Sequence, residues 1–510
     1  MSLINVSNLT FGYDGSSDLV FDNVSFQIDT DWKLGFCGRN GRGKTTFLKL
    51  LLGKYAYQGS ISSSVVFEYF PFQTDGREQL STLEVLTYVA PEVLLWQIHK
   101  ERSLLNVGED VLYRPFCSLS GGEQTKMLLA GLFLRENSYL LIDEPTDHLD
   151  MEAREMVARY LHHKGGFILV SHDRSFLDAC TDHTLSINKQ NIEMIKGSYS
   201  VWWEQKQRRD AYETAQNDKL AKEIGRLESA ARQSSAWADK VESTKLGKGA
   251  AALRENGHGG KGAMAYHAEQ SRRMQQRRKN LEHRQQSGIE EKRKLLKNIE
   301  NTESLCIHPQ TYHTPRLLSL DNVTVAYNGR QVVTDVSFTL ERGDRLALTG
   351  GNGSGKSSLL KIICGEQIPY AGVAHIGSRL AISYVPQHAD DLSGTLDTYA
   401  AERQINRTLL MTILRKLDFS RTQFNMDMRY YSEGQKKKVL LACSLCEQAH
   451  VYIWDEPLNY IDVLSRIQIE ALILASRPTL LFTEHDRMFC DRIATRNINL
   501  PHRDRIIPVL

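Results

Sequence analysis

The 510-residue chain lacks any run of about 18 consecutive apolar residues, so no segment reads as a membrane-spanning helix. Its opening stretch, MSLINVSNLTFGYDG, has no basic segment followed by an apolar core, which argues against a secretory signal. Cysteine is sparse: eight are scattered at 37, 117, 180, 306, 364, 443, 446 and 490, a pattern suited to reduced thiols in a cytoplasmic protein. Cys443 and Cys446 have C-x-x-C spacing, but no second pair completes a four-ligand metal site. They lie in the apolar stretch VLLACSLCEQAHVYIW, where core packing is the expectation. All twelve prolines fall outside 146–308. Charge of one sign is also missing, with 63 Lys plus Arg against 61 Asp plus Glu and a net of +2. The 41% hydrophobic and 24% charged residues exclude wholesale disorder and a fibrous protein.

The chain repeats itself. GRNGRGKT from Gly38 recurs as GGNGSGKS from Gly350, an offset of 312. Gln73 in YFPFQ matches Gln387 in SYVPQ, 314 further on. Ser120 in LSGGEQ matches Ser432 in YSEGQK, and Asp143 in LLIDEP matches Asp455 in YIWDEP, both at 312. His172 in VSHDRSFLD matches His485 in TEHDRMFCD at 313. One domain therefore occurs twice, at about 1–200 and 311–510.

Residues 201–310 between the copies are different in kind. The stretch 203–304 is rich in Gln, Glu, Lys, Arg and Ala, strong helix formers. Two long helices are expected, at about 203–243 and 266–304, separated by LGKGAAALRENGHGGKGAMAY with six glycines between Gly247 and Gly262. The expectation is a helical hairpin with a glycine-rich tip at about 245–265. Residues 201–300 hold 22 Lys plus Arg and 14 Asp plus Glu, a net of +8, which leaves −6 for the remainder. Arg272, Arg273, Arg277, Arg278 and Lys279 form the densest patch, and Trp237 adds a stacking group. A charge run is often only a solvated helix face. An excess over a hundred residues favours contact with a phosphate backbone.

The chemistry-bearing motifs recur with their contexts. G-x-x-x-x-G-K-[ST] follows an apolar strand and opens a helix in both copies, so backbone N–H groups and the helix N-terminus can cradle phosphates. The first loop supplies Gly38, Asn40, Gly41, Gly43, Lys44, Thr45 and Thr46; the second supplies Gly350, Asn352, Gly353, Gly355, Lys356, Ser357 and Ser358. Lys44 and Lys356 suit the β and γ oxygens, while Thr45 and Ser357 place a hydroxyl on Mg2+. Asp143-Glu144 and Asp455-Glu456 each end an apolar strand; the Asp suits the metal shell and the Glu suits activating water. His172 and His485, single structural histidines if read alone, recur as candidate sensors of the terminal phosphate. Ser120, Gly121, Gly122 and Glu123, and Ser432, Gly434 and Gln435, have capping-box form and also offer exposed helix N-termini to an anion.

Phosphate loop, Gln, LSGGE, strand-DE and His, in that order and twice, resemble ATP-binding cassette ATPase domains. The resemblance implies an α/β fold: two tandem ATP-binding cassette domains joined by a long α-helical hairpin linker, with ATP and Mg2+ as ligands. It implies head-to-tail pairing of the cassettes within a monomer. One site would then combine Lys44, Thr45, Gln73, Asp143, Glu144 and His172 with Ser432 and Gly434. The other would combine Lys356, Ser357, Gln387, Asp455, Glu456 and His485 with Ser120 and Gly122. Metal ligands implied are Thr45, Gln73, Asp143, Ser357, Gln387 and Asp455. Tyr13 and Tyr327 match the adenine-stacking aromatic.

Tandem cassettes with a charged helical linker and no membrane segment are similar to the ABC-F ATPases. Only 46 residues separate Gln73 from Leu119, too few for the arm inserted in some housekeeping members, and the chain ends 25 residues past His485. With WDEPLNYIDVLSRIQIE, this layout resembles the Lsa/Vga group of antibiotic-resistance proteins. The resemblance implies a linker entering the exit site of the 70S ribosome, contacts with ribosomal RNA and peptidyl-site tRNA, and protection against lincosamides, streptogramin A and pleuromutilins. A general translation factor of the same class is the alternative; a transporter subunit would have no use for the basic hairpin, and an excision-repair ATPase would need zinc-spaced cysteines. Two departures, Glu433 where glycine is usual and Asp147 where Asn is usual, lead us to expect unequal sites, with the one closed by Ser432 the slower.

Overall fold

The computed structural model describes residues 2–14, 19–187, 192–255, 309–327, 330–389, 392–417, 419–420 and 423–501, and of 230–255 and 330 the backbone course alone. The chain divides into two compact units: Met1–Trp202 with Thr302–Leu510, and Trp203–Asn301.

The first unit holds both copies of the repeat. In the first copy, Leu3–Gly12 pairs antiparallel with Leu19–Asp29 on one side and Gln58–Ser62 on the other. A six-stranded sheet runs in the order Val66–Phe70, Ser138–Asp143, Phe167–Val170, Lys33–Gly38, His183–Ile187, Ile192–Lys196. Its first five strands are parallel and the last is antiparallel. Strands such as FILV are apolar on successive residues because both faces are covered, and all four of these residues are buried. The second copy repeats the plan with Ile382–Val385, Val451–Asp455, Leu480–Thr483, Arg345–Gly350 and Arg496–Leu500 in one parallel sheet, and Arg330–Glu341, Arg316–Tyr327 and Tyr370–Ile376 in the antiparallel one. In each copy the phosphate-loop strand lies beside the strand that precedes the histidine, so the loop, the carboxylates and the histidine emerge at the same carboxyl edge of the sheet.

The described part of the second unit belongs to one helix, Tyr199–Glu255, of 57 residues. At 1.5 Å per residue it is about 85 Å long. The sequence reading ends this helix near 243; the structure carries it through Gly247 and Gly249 to Glu255. Those two glycines cost about 1 kcal/mol each, and the run Ala250–Ala251–Ala252–Leu253–Arg254–Glu255 that follows supplies strong helix formers. The second expected helix, most of the glycine-rich tip and the Arg272–Lys279 patch lie outside the described residues.

Cys443 packs in the second copy's core and Cys446 against its edge; both are free, as is every other described cysteine. Burial pushes both thiols up to about 12.

The two copies are tied to each other by ion pairs of unlike character. Arg174 forks onto Glu470, and both are buried, at 4% and 0% exposure. Arg492 also reaches Glu470, at 3.0 Å, and Asp486 stands 3.8 Å from Arg174. At the position corresponding to Arg174, Arg487 meets Glu155 at 2.6 Å in the open, with side chains 60% and 55% exposed. Removing one partner of a buried pair leaves an uncompensated charge and costs about 3–5 kcal/mol, whereas an exposed pair contributes under about 1 kcal/mol. Glu470→Ala should therefore lower the melting temperature by several degrees, and Glu155→Ala should leave it nearly unchanged in the same thermal scan.

Candidate active site

Each phosphate loop joins a buried strand to an eight-residue helix, Lys44–Leu51 or Lys356–Ile363. Gly41 and Gly43 have φ of 78° and 92°, and Gly353 and Gly355 have 75° and 87°. A Cβ on Gly43 would come within 2.5 Å of Val20, and one on Gly355 within 2.2 Å of Val333, so both conformation and space require glycine there. The Lys44 ammonium is buried and donates to the carbonyls of Gly38 at 2.7 Å and Arg39 at 3.2 Å. Lys356 does the same to Gly350 and Gly351 at 2.9 and 3.0 Å. Burial lowers both ammonium pKa values, opposed by Glu144 in the first case and Glu456 in the second. Tyr13, 46% exposed, shares a hydrogen bond with Thr46 at 2.7 Å; Tyr327, 43% exposed, bonds Ser358 at 3.1 Å. Each ring is thus anchored to its loop and open to solvent.

The strand-end acids sit beside the loops. Thr45 Oγ1 donates to Asp143 Oδ2 at 2.8 Å, and Tyr69 donates to the same oxygen at 2.9 Å. Thr483 donates to Asp455 Oδ1 at 2.6 Å. Glu144 and Glu456 both take left-handed backbone, with φ of 48° and 46°, a strained conformation for a non-glycine residue. Each faces its histidine at 3.3 Å, through His172 Nε2 and His485 Nε2. Burial first, and the Lys44 charge after it, keep His172 neutral.

The copies meet head to tail over the first loop. Asn40 Nδ2 donates to the carbonyl of Tyr460 at 2.9 Å. A cleft of about 460 Å³ is lined on one side by Gly41, Lys44, Thr45, Asp143, Glu144 and His172, and on the other by Ser432, Glu433, Gly434 and Tyr460. Gln73 is exposed and does not line it. Ser432 and Ser120 both complete capping boxes, with Gln435 and Glu123. Glu433 meets a cation, Lys436, at 2.9 Å, which moderates a carboxylate placed near the phosphates. At the second loop, Asn352 donates to His148 O at 3.1 Å and to Asp150 Oδ2 at 3.3 Å. His148 in turn packs on Gly121, next to Ser120.

The donor sets suit Mg2+, which polarises the terminal phosphate when bound: each offers a loop hydroxyl and a strand-end carboxylate, hard oxygen ligands. Asp455 Oδ2 is buried and has no hydrogen-bond partner in the protein, as expected of an oxygen reserved for a cation.

The family model described as "ABC transporter" matches residues 21–147 and again 333–459. The ribosome protection protein VmlR of Bacillus subtilis is 29% identical over 499 residues, covering 96% of this chain and 85% of VmlR. The ATP-binding protein Uup of Haemophilus influenzae is 26% identical over 545 residues, covering 97% and 78%. This chain is an ABC-F ATPase. Among solved structures, an archaeal ribosome recycling factor, aABCE1, in complex with the stalk protein aP1 has the same fold, with a TM-score of 0.62 at 18% identity over 96% of this chain and 87% of that one. The ABC-F ATPase binds ATP with Mg2+ and hydrolyses it.

Sequence reasoning passed over several residues of this ABC-F ATPase that the structure brings to its sites. Tyr69, Asn459 and Thr483 fall within the quoted stretches but were given no role there, and Lys437 follows YSEGQK directly; only alignment with Tyr384, Asp147, Val170 and Thr125 in the other copy could have flagged three of the four as differences. Asn459 Nδ2 donates to Glu456 Oε2 at 2.6 Å. Burial pushes Glu456 up, but His485, Gln387 and Lys356 outweigh it and hold the carboxyl at about 2. Glu144 has no such amide. Burial and the carboxylates of Asp147 and Asp143 push it well above its usual range, against the pull of Lys44, and its Oε1 lacks a hydrogen-bond partner.

A carboxylate held ionised and aimed by an amide is ready to accept a proton, whereas one pushed towards its protonated form by burial and neighbouring acids is not. The Glu456→Gln protein, which retains the first site, should therefore turn over ATP about tenfold or more slowly than the Glu144→Gln protein. Adding Asp147→Asn to the Glu456→Gln protein should raise its rate. Steady-state phosphate release measures all three; equal rates in the two single-site proteins would remove the asymmetry.

Proposed function

We propose that this ABC-F ATPase protects the ribosome against antibiotics acting at the peptidyl transferase centre. The observation that carries the reading is the net charge of +8 on residues 201–300, set in the chain between two cassettes that meet over a cleft lined by the first phosphate loop and the second signature. A basic segment of this length suits RNA phosphates. The similarity to VmlR, a ribosome protection protein, supports it.

In this reading ATP, held by one cassette's phosphate loop and the other's signature helix, draws the cassettes together and sets the linker. The linker enters the exit site of the 70S ribosome in the cytoplasm and meets ribosomal RNA and peptidyl-site tRNA. Its tip, at about 245–265, approaches the peptidyl transferase region, and lincosamides, streptogramin A or pleuromutilins leave. Lys44 and Lys356 hold the phosphates; Thr45, Gln73 and Asp143, and Ser357, Gln387 and Asp455, are the proposed metal ligands. Glu144 and Glu456 take the proton of the attacking water, His172 and His485 contact the terminal phosphate, and Tyr13 and Tyr327 stack on adenine. Hydrolysis reopens the cassettes and releases the protein. ATP then times residence on the ribosome.

A Glu144→Gln, Glu456→Gln protein should co-sediment with 70S ribosomes in ATP and not in ADP. The unmutated protein should restore drug-inhibited translation in a membrane-free extract. Absence from the ribosomal pellet would sink the reading; binding without rescue of drug-inhibited translation would leave a general translation factor instead.

A further inference from the structure

Lys437 is buried, at 2% exposure, yet no carboxylate among the described residues pairs with it. Its ammonium donates to three carbonyl oxygens: Pro386 at 2.7 Å, Gln387 at 3.0 Å and Asp455 at 3.1 Å. Three donors meet three acceptors, which offsets the cost of taking the charge out of water. The carbonyls belong to the two segments that carry Gln387 and the Asp455-Glu456 pair. The lysine itself is one turn into Glu433–Cys446, the helix whose start, at Gly434, faces Asn40 of the other cassette.

The first cassette has no equivalent. The repeat offset puts Thr125 at this position, buried and too short to span the same gap. The difference has a visible correlate: Gln387 is half-buried, whereas Gln73 is exposed and stands off the cleft. The next residue, Lys438, fixes the same helix from another side, donating to Asp462 Oδ2 at 2.8 Å and to Leu417 O at 2.9 Å.

We propose that Lys437 is a positioning residue for the second ATP site, holding Gln387 and Asp455 in place for the metal-bound nucleotide. The same side chain makes these ligands one rigid piece with the helix that closes the first site. The inference rests on the assignment of Gln387, Asp455 and Glu456 to that site. It differs from the family's shared machinery in belonging to one cassette alone.

The test uses the full chain in its single-site forms. In the Glu144→Gln protein, loss of the remaining activity on adding Glu456→Gln first checks the site assignment. Lys437→Met, which keeps the bulk and removes the donors, is then placed in each single-site protein, and hydrolysis is measured against Mg2+ and against ATP. In the Glu144→Gln protein we expect the Mg2+ concentration for half-maximal rate to rise about tenfold, as for loss of a group that supports metal ligands. In the Glu456→Gln protein it should move less than about twofold on the same reasoning. Lys437→Thr, the first cassette's own residue, should reproduce the shift if the methionine variant is poorly folded. An unchanged Mg2+ dependence in the Glu144→Gln protein, or equal shifts in both single-site proteins, overturns the proposal.

Discussion

Neither cassette carries a complete candidate site, and this constraint shapes the molecule. A triphosphate needs N–H donors and cations around it, and one phosphate loop presents them on one side only. Over the first loop the missing side is Ser432, Glu433 and Gly434 from the other copy, with Tyr460 bonded to Asn40. Duplication within one chain supplies both faces at a fixed stoichiometry. It also lets the copies diverge, since each site draws on residues that have no duty in the other.

That divergence is concentrated behind the motifs. Loops, strand-end acids and histidines recur almost unchanged, but Asn459 answers to Asp147, Thr483 to Val170 and Lys437 to Thr125. Each change replaces an acceptor, an apolar group or a short hydroxyl by a donor aimed at Glu456, Asp455 or Gln387. The second site is accordingly knitted by side-chain hydrogen bonds, while around Glu144 burial and neighbouring acids prevail. Stiffness and electrostatics thus separate two sites whose signatures are nearly the same.

The fold was legible because its signals are local: apolar strands ending in glycine loops or paired acids, helices opened by capping boxes, all in one order at a constant offset. The pairing of phosphate loop with distant signature came through resemblance, since nothing in either copy taken singly predicts it. What stayed hidden depends on which helix face meets what. The run KKK at 436–438 does not say which way each side chain points: Lys437 and Lys438 turn inward, and Lys436 meets the outward Glu433. Arg174 and Arg487 look interchangeable in HDR, but one finds a buried acid and the other an exposed one. In the linker, glycine spacing suggested a break where alanines carry the helix on to Glu255.

The unlike ties between the cassettes make the seam between them respond unevenly to the medium. Dissolved ions gather around Arg487 and Glu155 and weaken their attraction, because both are open to solvent. They cannot reach Arg174 and Glu470, which are sealed from water. A rise in ionic strength therefore slackens one fastening and spares its counterpart, so the joint retains a fixed point about which the rest can loosen.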